Sequence, residues 1–201
     1  MATRLSKLDA VNQMLSAIGQ KPTNSLEGTT SMWTRIAVQT LDETDREVQG
    51  EGWYFNTDPN HTFSADANTG EVPVPVNTVR FKVYDMQSAT LRDGKIYDRH
   101  NGTFDIGKAL QGELVQYLDF DALPEVAKEY IVARSARKMY MRHVGSQENQ
   151  RNLLMEETMA KSNLLNHDCI EGDYNMLDDV TIPFIPGSRY VPSRPRKHPR
   201  H

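Results

Sequence analysis

The chain has 201 residues, of which 38% are hydrophobic and 25% charged, with a formal net charge of −4 and a mean hydropathy of −0.63. It has no run of about 18 apolar residues that could cross a membrane, and its charged N-terminus lacks the apolar stretch of a signal peptide. The single cysteine, Cys169, cannot form an internal disulfide, which is typical of a reducing compartment. These features predict a polar globular protein that is neither exported nor embedded in a membrane.

Two amphipathic helices are predicted near the N-terminus. The first covers residues 6–18, where Ser6 and Asp9 have the spacing of a capping box and apolar residues recur at helical intervals. The second covers about residues 31–48 and is terminated by Gly50 and Gly52.

The middle of the chain has the pattern of β-strands. The segments VRFKVYD (79–85) and ELVQYLDF (113–120) alternate between apolar and polar residues, as half-buried strands do. Asp93-Gly94 and Asn101-Gly102 are typical of tight hairpin turns. We therefore predict a small antiparallel β-meander over residues 72–120.

Two further helices and an extended arm complete the prediction. The helices cover residues 123 to about 143 and about 146 to 166, while five prolines exclude a helix near the C-terminus. The predicted fold class is α+β, mainly α: a four-helix bundle with a small antiparallel β-meander inserted between helices 2 and 3. The predicted domains are a helical bundle (1–52 and 121–171), an inserted β-meander domain (53–120) and an extended C-terminal arm (172–201).

Positive charge is concentrated at the C-terminus. Residues 187–201 contain five basic residues and no acids, so this segment carries +5; because the whole chain carries −4, the rest carries −9. An acidic body repels nucleic acid and leaves only the tail for an anionic partner. The tail could bind DNA or lie on an acidic protein, and its prolines favour the protein because they reduce the entropy lost on docking.

A basic stretch, ARSARKMYMR (133–142), has two interpretations. Arg134, Arg137 and Lys138 share one side of the predicted helix and could face nucleic acid. Three glutamates of the following helix could pair with them instead: Glu148, Glu156 and Glu157. A charge match between helices or between subunits is the favoured interpretation.

No signature of catalysis or metal binding is present. The histidines form no HExxH or similarly spaced pair, and the G-x-S-x-G, Walker A and GxGxxG motifs are absent. We therefore predict no catalytic residue, no metal site and no cofactor. Three acids, Asp98, Asp105 and Asp119, could still provide a glycosidase pair, although solvated acids at strand ends are far commoner. The neighbours His167, Asp168 and Cys169 are interpreted as a surface helix end rather than a ligand or thiol site.

Five short segments carry a resemblance to a known family. They are SLEG (25–28), GWYFN (52–56), IYDR (96–99), LPEVAKEYIVARSARKMY (123–140) and GDYNMLD (172–178). None is a chemical signature alone. In this order, across roughly residues 6–180, they resemble the tail tubular protein A family, the head–tail adaptors of short-tailed, podovirus-type bacteriophages.

The resemblance implies a structural virion protein without enzymatic activity. Twelve copies would form a ring that joins the portal of the phage head to the tail nozzle, a protein of the tail tubular protein B type. Genomic DNA would pass through the bore without sequence-specific binding, and an acidic wall suits this passage because it does not hold phosphate. Expected partners are other copies, the portal and the nozzle, with a tail fibre as a further candidate and no membrane. The expected location is the head–tail interface of the virion, after assembly in the host cytoplasm.

Two sets of residues are predicted to serve this role. Gly52 permits a sharp turn, and Trp53, Tyr54 and Phe55 form a structural joint between bundle and meander, in which each ring buries on the order of 150–250 Å². Ordinary core aromatics are the alternative interpretation. The predicted portal-binding residues of the arm are Tyr174, Arg189, Tyr190, Arg194, Arg196, Lys197 and Arg200.

Two other functions stay open at this point. Some members of the family are suggested to act on bacterial surface glycans, with acidic residues as the catalysts, so a glycan hydrolase is the first alternative. A free DNA-binding protein that uses the basic tail is the second.

Overall fold

The computed structural model describes residues 4–28 and 31–172. They form four α-helices and five β-strands, with a short 3-10 turn over Phe120–Ala122. In chain order these are α1 (Lys7–Ala17), α2 (Met32–Gly50), β1 (Thr57–Phe63), β2 (Thr78–Val83), β3 (Ala89–Arg92), β4 (Lys95–Asp98), β5 (Leu110–Gln116), α3 (Glu125–His143) and α4 (Gln147–Glu171). Within these ranges, no helix combines the length and apolar character needed to span a bilayer.

The helix starts follow from local side-chain chemistry. The predicted capping box of α1 is confirmed: the Ser6 hydroxyl accepts a hydrogen bond from the Asp9 amide, and the Asp9 carboxylate accepts one from the Ser6 amide. Ser31 caps α2 in a similar way, since its hydroxyl accepts a hydrogen bond from the amide of Thr34. Ser146 directly precedes α4, but its side chain makes no capping hydrogen bond.

The predicted four-helix bundle is wrong. Helices α1, α2 and α3 pack against one another around a common core, whereas α4 lies mainly along α3. Among the α4 side chains that the structure describes, Leu164 alone is fully buried. The reason is the spacing of the apolar residues of α4, which are spread around the helix instead of forming one wide stripe.

The predicted meander is also wrong. A meander places consecutive strands side by side, but the observed three-stranded antiparallel sheet has the order β1-β5-β2. Strands β3 and β4 form a separate two-stranded hairpin. β1 was not predicted because its sequence, TDPNHTF, contains a proline and has no alternation of apolar residues. Its strand conformation depends on pairing with β5, about fifty residues later in the chain.

The turn between β3 and β4 agrees with the Asp-Gly prediction. Asp93 has a φ of +49° and Gly94 a φ of +72°, as a tight hairpin turn with two left-handed residues requires. Asn101-Gly102 closes a smaller loop, in which Asp98 and Thr103 form an isolated bridge rather than a pair of strands.

A second apolar cluster lies between the sheet and the hairpin. It is separate from the helical core and consists of Phe63, Val72, Val74, Val83, Ile96, Leu110 and Leu114. The predicted domain boundaries stay a prediction, and the predicted arm beyond residue 172 lies outside the described residues.

Gly112 allows the central strand β5 to approach β2 closely. An added Cβ at this position would clash with the carbonyl oxygen of Lys82 and lie 3.0 Å from the Cα of Val83. We expect Gly112→Ala to lower the free energy of unfolding by about 1–3 kcal/mol, because both obstacles are backbone atoms that cannot rotate away. Urea denaturation of the purified protein measures this change.

Gly50→Ala is the matched control, because its added Cβ would make only an ordinary contact of 3.6 Å with the Val79 side chain. It should change stability by less than about 1 kcal/mol. Equal effects of the two substitutions would contradict the close approach of β5 and β2.

Candidate interaction surfaces and the helix–sheet joint

The predicted joint begins at Gly52, directly after α2. Gly52 has a φ of +77°, which L side chains rarely adopt. An added Cβ would also lie 2.8 Å from the Arg80 guanidinium and 3.3 Å from the Val115 side chain. Glycine therefore permits both the turn and the close passage of the chain beside β2 and β5.

Trp53 belongs to the helical core. Its side chain is 1% exposed, and its indole N–H donates a 2.8 Å hydrogen bond to the carbonyl of Val48 at the end of α2. Its backbone amide donates to the side-chain oxygen of Asn56, also at 2.8 Å. The ring thus contributes apolar burial while its one polar atom is satisfied.

Two amide side chains, Gln49 and Asn56, connect α2 to the end of β5. The Asn56 side chain donates to the carbonyls of Gln49 and Gln116, at 2.9 and 3.0 Å. The Gln49 side chain donates to the carbonyl of Leu118 and accepts from the amide of the same residue, both at 2.8 Å. Both amides are buried. Sequence reasoning did not single them out, although Asn56 is the last residue of the quoted GWYFN segment.

Asp45 and Tyr117 extend this network. The Tyr117 hydroxyl donates a 2.6 Å hydrogen bond to one carboxylate oxygen of Asp45, and the Gln49 side chain donates to the other at 2.9 Å. Burial raises the pKa of Asp45 above its ordinary value, and its two donors partly offset this rise. Burial, together with the Asp45 carboxylate, raises the pKa of the Tyr117 hydroxyl strongly. The tyrosine therefore stays a donor at any physiological pH.

Tyr54 and Phe55 turn toward the end of α4 and the helical core, respectively. The Tyr54 amide donates a 2.8 Å hydrogen bond to the Asp168 carboxylate, and its ring stacks on His167 with 5.4 Å between centroids. Phe55 packs edge-on against Tyr54 and beside the helical core. Cys169 is exposed, so the three neighbours 167–169 do not converge on one site. His167 and Asp168 instead hold α4 to the loop that follows α2.

The predicted portal-binding residues all lie outside the described residues. They are Tyr174, Arg189, Tyr190, Arg194, Arg196, Lys197 and Arg200. Their role stays a prediction, as does the assignment of Gly52, Trp53, Tyr54 and Phe55 to a structural joint.

The four basic residues of the 133–142 stretch on α3 are paired within the chain. Arg137 contacts Glu157 of α4, which confirms the charge match between these helices. The other three pair with α2, whose role was missed: Arg134 with Glu47 and Glu51, Lys138 with Glu47, and Arg142 with Glu43. Glu156 makes no ion pair among the described residues, and the side chain of Glu148 lies outside them. These pairs leave little positive charge on α3 for phosphate groups.

The outer face of α4 is apolar and exposed. Met155, Met159 and Ile170 are 66%, 63% and 75% exposed and lie opposite the buried Leu164 at helical spacing. The polar residues between them along this face, Ser162 and Asn166, carry no charge. Exposed methionines with few neighbouring charges are typical of protein contact surfaces. This α4 outer face is therefore a candidate interaction surface.

The three candidate glycosidase acids lie in positions where they take part in local structure. Asp98 is buried and accepts hydrogen bonds from the Ser88 hydroxyl, the His100 amide and the Asn101 side chain, which lower its pKa to about 2. A carboxylate with such a pKa cannot act as a general acid near neutral pH. Asp105 forms a bridge with Glu71, and Asp119 precedes the 3-10 turn. No group of three potential metal ligands occurs in the part of the chain that the structure describes.

Replacing Trp53 tests the predicted joint. We expect Trp53→Ala to lower the free energy of unfolding by about 3–5 kcal/mol, because it removes a fully buried ring and the hydrogen bond to Val48. Thermal and urea denaturation provide the measurement. Trp33→Ala is the control. Because Trp33 is only half-buried, this substitution should lower the free energy of unfolding by less than Trp53→Ala does. An unchanged melting temperature for Trp53→Ala would refute the joint.

Comparison with known proteins places these features in a family. The family model of tail tubular proteins matches residues 8–174. The chain is also 30% identical over 167 residues to tail tubular protein A of Klebsiella phage KP34, a match that covers 80% of this chain and 86% of the relative. The resemblance recognised in the sequence is thereby confirmed. This chain belongs to the tail tubular protein family and is a structural component of a phage virion tail.

Proposed function

We propose that the chain is the subunit of an adaptor ring between the portal of the phage head and the tail nozzle. Twelve copies surround the channel through which DNA leaves the head, and they assemble in the host cytoplasm. The support is the similarity to tail tubular protein A over most of both chains, together with surfaces that suit repeated protein contacts. A ring subunit must bind its neighbours through two unlike faces.

The observation that carries the proposal is the α4 outer face. Monomeric proteins seldom leave several large apolar side chains exposed along one helix, because their burial would stabilise the protein. Here Met155, Met159 and Ile170 are each more than three-fifths exposed, in a chain whose mean hydropathy is −0.63. Contact with another virion subunit would remove this apolar surface from water.

The helix–sheet joint also suits an adaptor. A subunit between two large assemblies has to keep its parts in a fixed relative orientation while DNA passes. Gln49 and Asn56 satisfy backbone groups on both sides of the joint, so tilting the sheet relative to α2 would leave buried polar atoms without partners. Each such orphaned group costs about 1–3 kcal/mol.

The charges favour a passive channel component over the two alternatives, a glycan hydrolase and a free DNA-binding protein. The body of the chain is acidic, and the cations of α3 are paired with glutamates, so α3 offers DNA no phosphate-binding face. Asp98, the first of the candidate glycosidase acids, is held as a carboxylate by three donors. We therefore propose a role without catalysis and without sequence-specific DNA binding.

Imaging of phage particles tests the location. Cryo-electron microscopy should show the chain as a twelvefold ring between the capsid vertex and the nozzle. Met155→Glu combined with Met159→Glu should reduce incorporation into particles by at least about tenfold, because it places charges in an apolar contact. Lys161→Glu, which changes the net charge by the same amount at an exposed α4 position, should incorporate normally. Density for this chain elsewhere in the virion would overturn the proposal.

The basic arm is proposed to reach the portal, with Tyr174 as its anchor. Its five cations between residues 187 and 201 would find an acidic protein surface there, consistent with the charge asymmetry of the chain. Deleting residues 187–201 should weaken binding to portal-bearing heads and leave contacts between copies intact, as measured by co-sedimentation with purified heads. Unchanged head binding would remove the arm from the portal contact.

A further inference from the structure

Two grooves lie on either side of α1. The α2 groove, of roughly 290 Å³, is lined by Leu26, Arg35, Val38, Gln39, Asp42 and Arg46. The α1–α3 groove, of roughly 620 Å³, is lined by Arg4, Leu5, Asp9, Gln13, Glu125 and Glu129. α1 separates them, because its Lys7 pairs with Asp42 of the α2 groove while Asp9 and Gln13 face the other.

The α2 groove is positively charged. Arg35 and Arg46 are exposed on the same side of α2, three helical turns apart, and neither forms an ion pair within the described residues. The one acid of the groove, Asp42, is neutralised by Lys7 at 2.7 Å, and the Arg46 side chain donates to the Asp42 backbone carbonyl rather than to a carboxylate. Two guanidinium groups are therefore available to an acidic partner.

The α1–α3 groove is negatively charged. Its three carboxylates are accompanied by one guanidinium, that of Arg4. The Ser6 hydroxyl lowers the pKa of Asp9, and the Leu5 amide lowers the pKa of Glu125, so both groups stay ionised at neutral pH. Glu129 is exposed and has no ion-pair partner in the described part of the chain. The nearby Lys128 is buried and donates to Glu125 and to the carbonyl of Leu5.

These two grooves differ from the rest of the helical surface. Along the contact between α2 and α3, the basic side chains meet carboxylates of the same chain. On the two sides of α1, by contrast, Arg35, Arg46 and Glu129 are exposed and have no ion-pair partner within the described residues. The two grooves have opposite signs, so each complements the charge of the other but not its own.

We propose that neighbouring copies in the ring bind through these grooves, the positive α2 groove of one copy facing the negative α1–α3 groove of the next. This inference rests on the proposed ring. Such a contact is heterologous, since each copy uses two different surfaces. Attraction between unlike grooves favours head-to-tail order, while repulsion between like grooves disfavours symmetric pairs.

Charge reversal in each groove separately tests the contact. Arg35→Glu with Arg46→Glu makes both grooves negative, and Gln13→Lys with Glu129→Lys makes both positive. Each double variant alone should weaken association between copies by at least about tenfold, because like charges then face each other. Sedimentation velocity and electron microscopy of the full chain, free and on portal-bearing heads, provide the measurement.

Mixing the two double variants is the decisive measurement. An all-negative copy and an all-positive copy attract each other on both sides, so rings of alternating copies should form again. Alternation closes only with an even number of subunits, and twelve is even. Mixtures that fail to associate, although each variant melts like the wild type, would overturn the inference.

The control is Lys82→Glu with Lys108→Glu, which changes the net charge as much as the arginine reversals but at exposed positions of the sheet region. It should assemble like the wild type. If the wild type forms rings and the arginine variant forms them equally well, the groove contact is wrong while the proposed function stands. If the wild type forms no ring, either free or on heads, both are wrong.

Discussion

Hydrogen bonds from two buried amide side chains, Gln49 and Asn56, hold the helical part of the molecule to the sheet. They join the last turn of α2 to the segment after β5, across 60 to 69 residues of sequence. The groups they satisfy are backbone atoms in a partly buried region, and breaking these bonds would cost free energy, so the bonds favour one orientation of the sheet. Trp53 fills the space behind these bonds, and Gly52 allows the chain to make the turn.

The position of α4 is a consequence of this arrangement. Its N-terminal half packs on α3 and pairs Glu157 with Arg137, while its C-terminal turn is held by Tyr54 through Asp168 and His167. Both attachments use one side of a long helix. The opposite side keeps its methionines in solvent, which suits a subunit of a virion tail that contacts other subunits.

Surface charge divides the helical part into two kinds of region. Where α2 and α3 meet, opposite charges are paired within the chain, and such pairs contribute mainly to the orientation of the two helices. On the two sides of α1, the two arginines of one groove and Glu129 of the other have no ion pair within the described residues, and the grooves differ in sign. Sorting by sign adds little to the stability of a monomer but determines which surfaces can approach each other. In an adaptor ring, this separation of charge would make every copy bind its two neighbours through different surfaces, all in the same order around the ring.

The helix positions and the Asp93-Gly94 turn could be predicted from the sequence, because they depend on neighbours within a few residues. The capping box at Ser6 and the left-handed turn at Gly94 are of this kind. The family could be predicted as well, because five short segments occur in a characteristic order along the chain. The burial of Trp53 could be anticipated as well, because the ring stands between a glycine and a turn in a polar chain; its role in a structural joint stays a prediction.

The strand order and the position of α4 were decided by tertiary structure. β5 lies between β1 and β2 because Leu110 and Leu114 face an apolar cluster assembled from distant segments, and no local pattern encodes that pairing. Likewise, no local pattern in the sequence relates Gln49 to Leu118. Local propensity determines where elements begin and end, whereas burial of their apolar faces and polar atoms determines which elements meet.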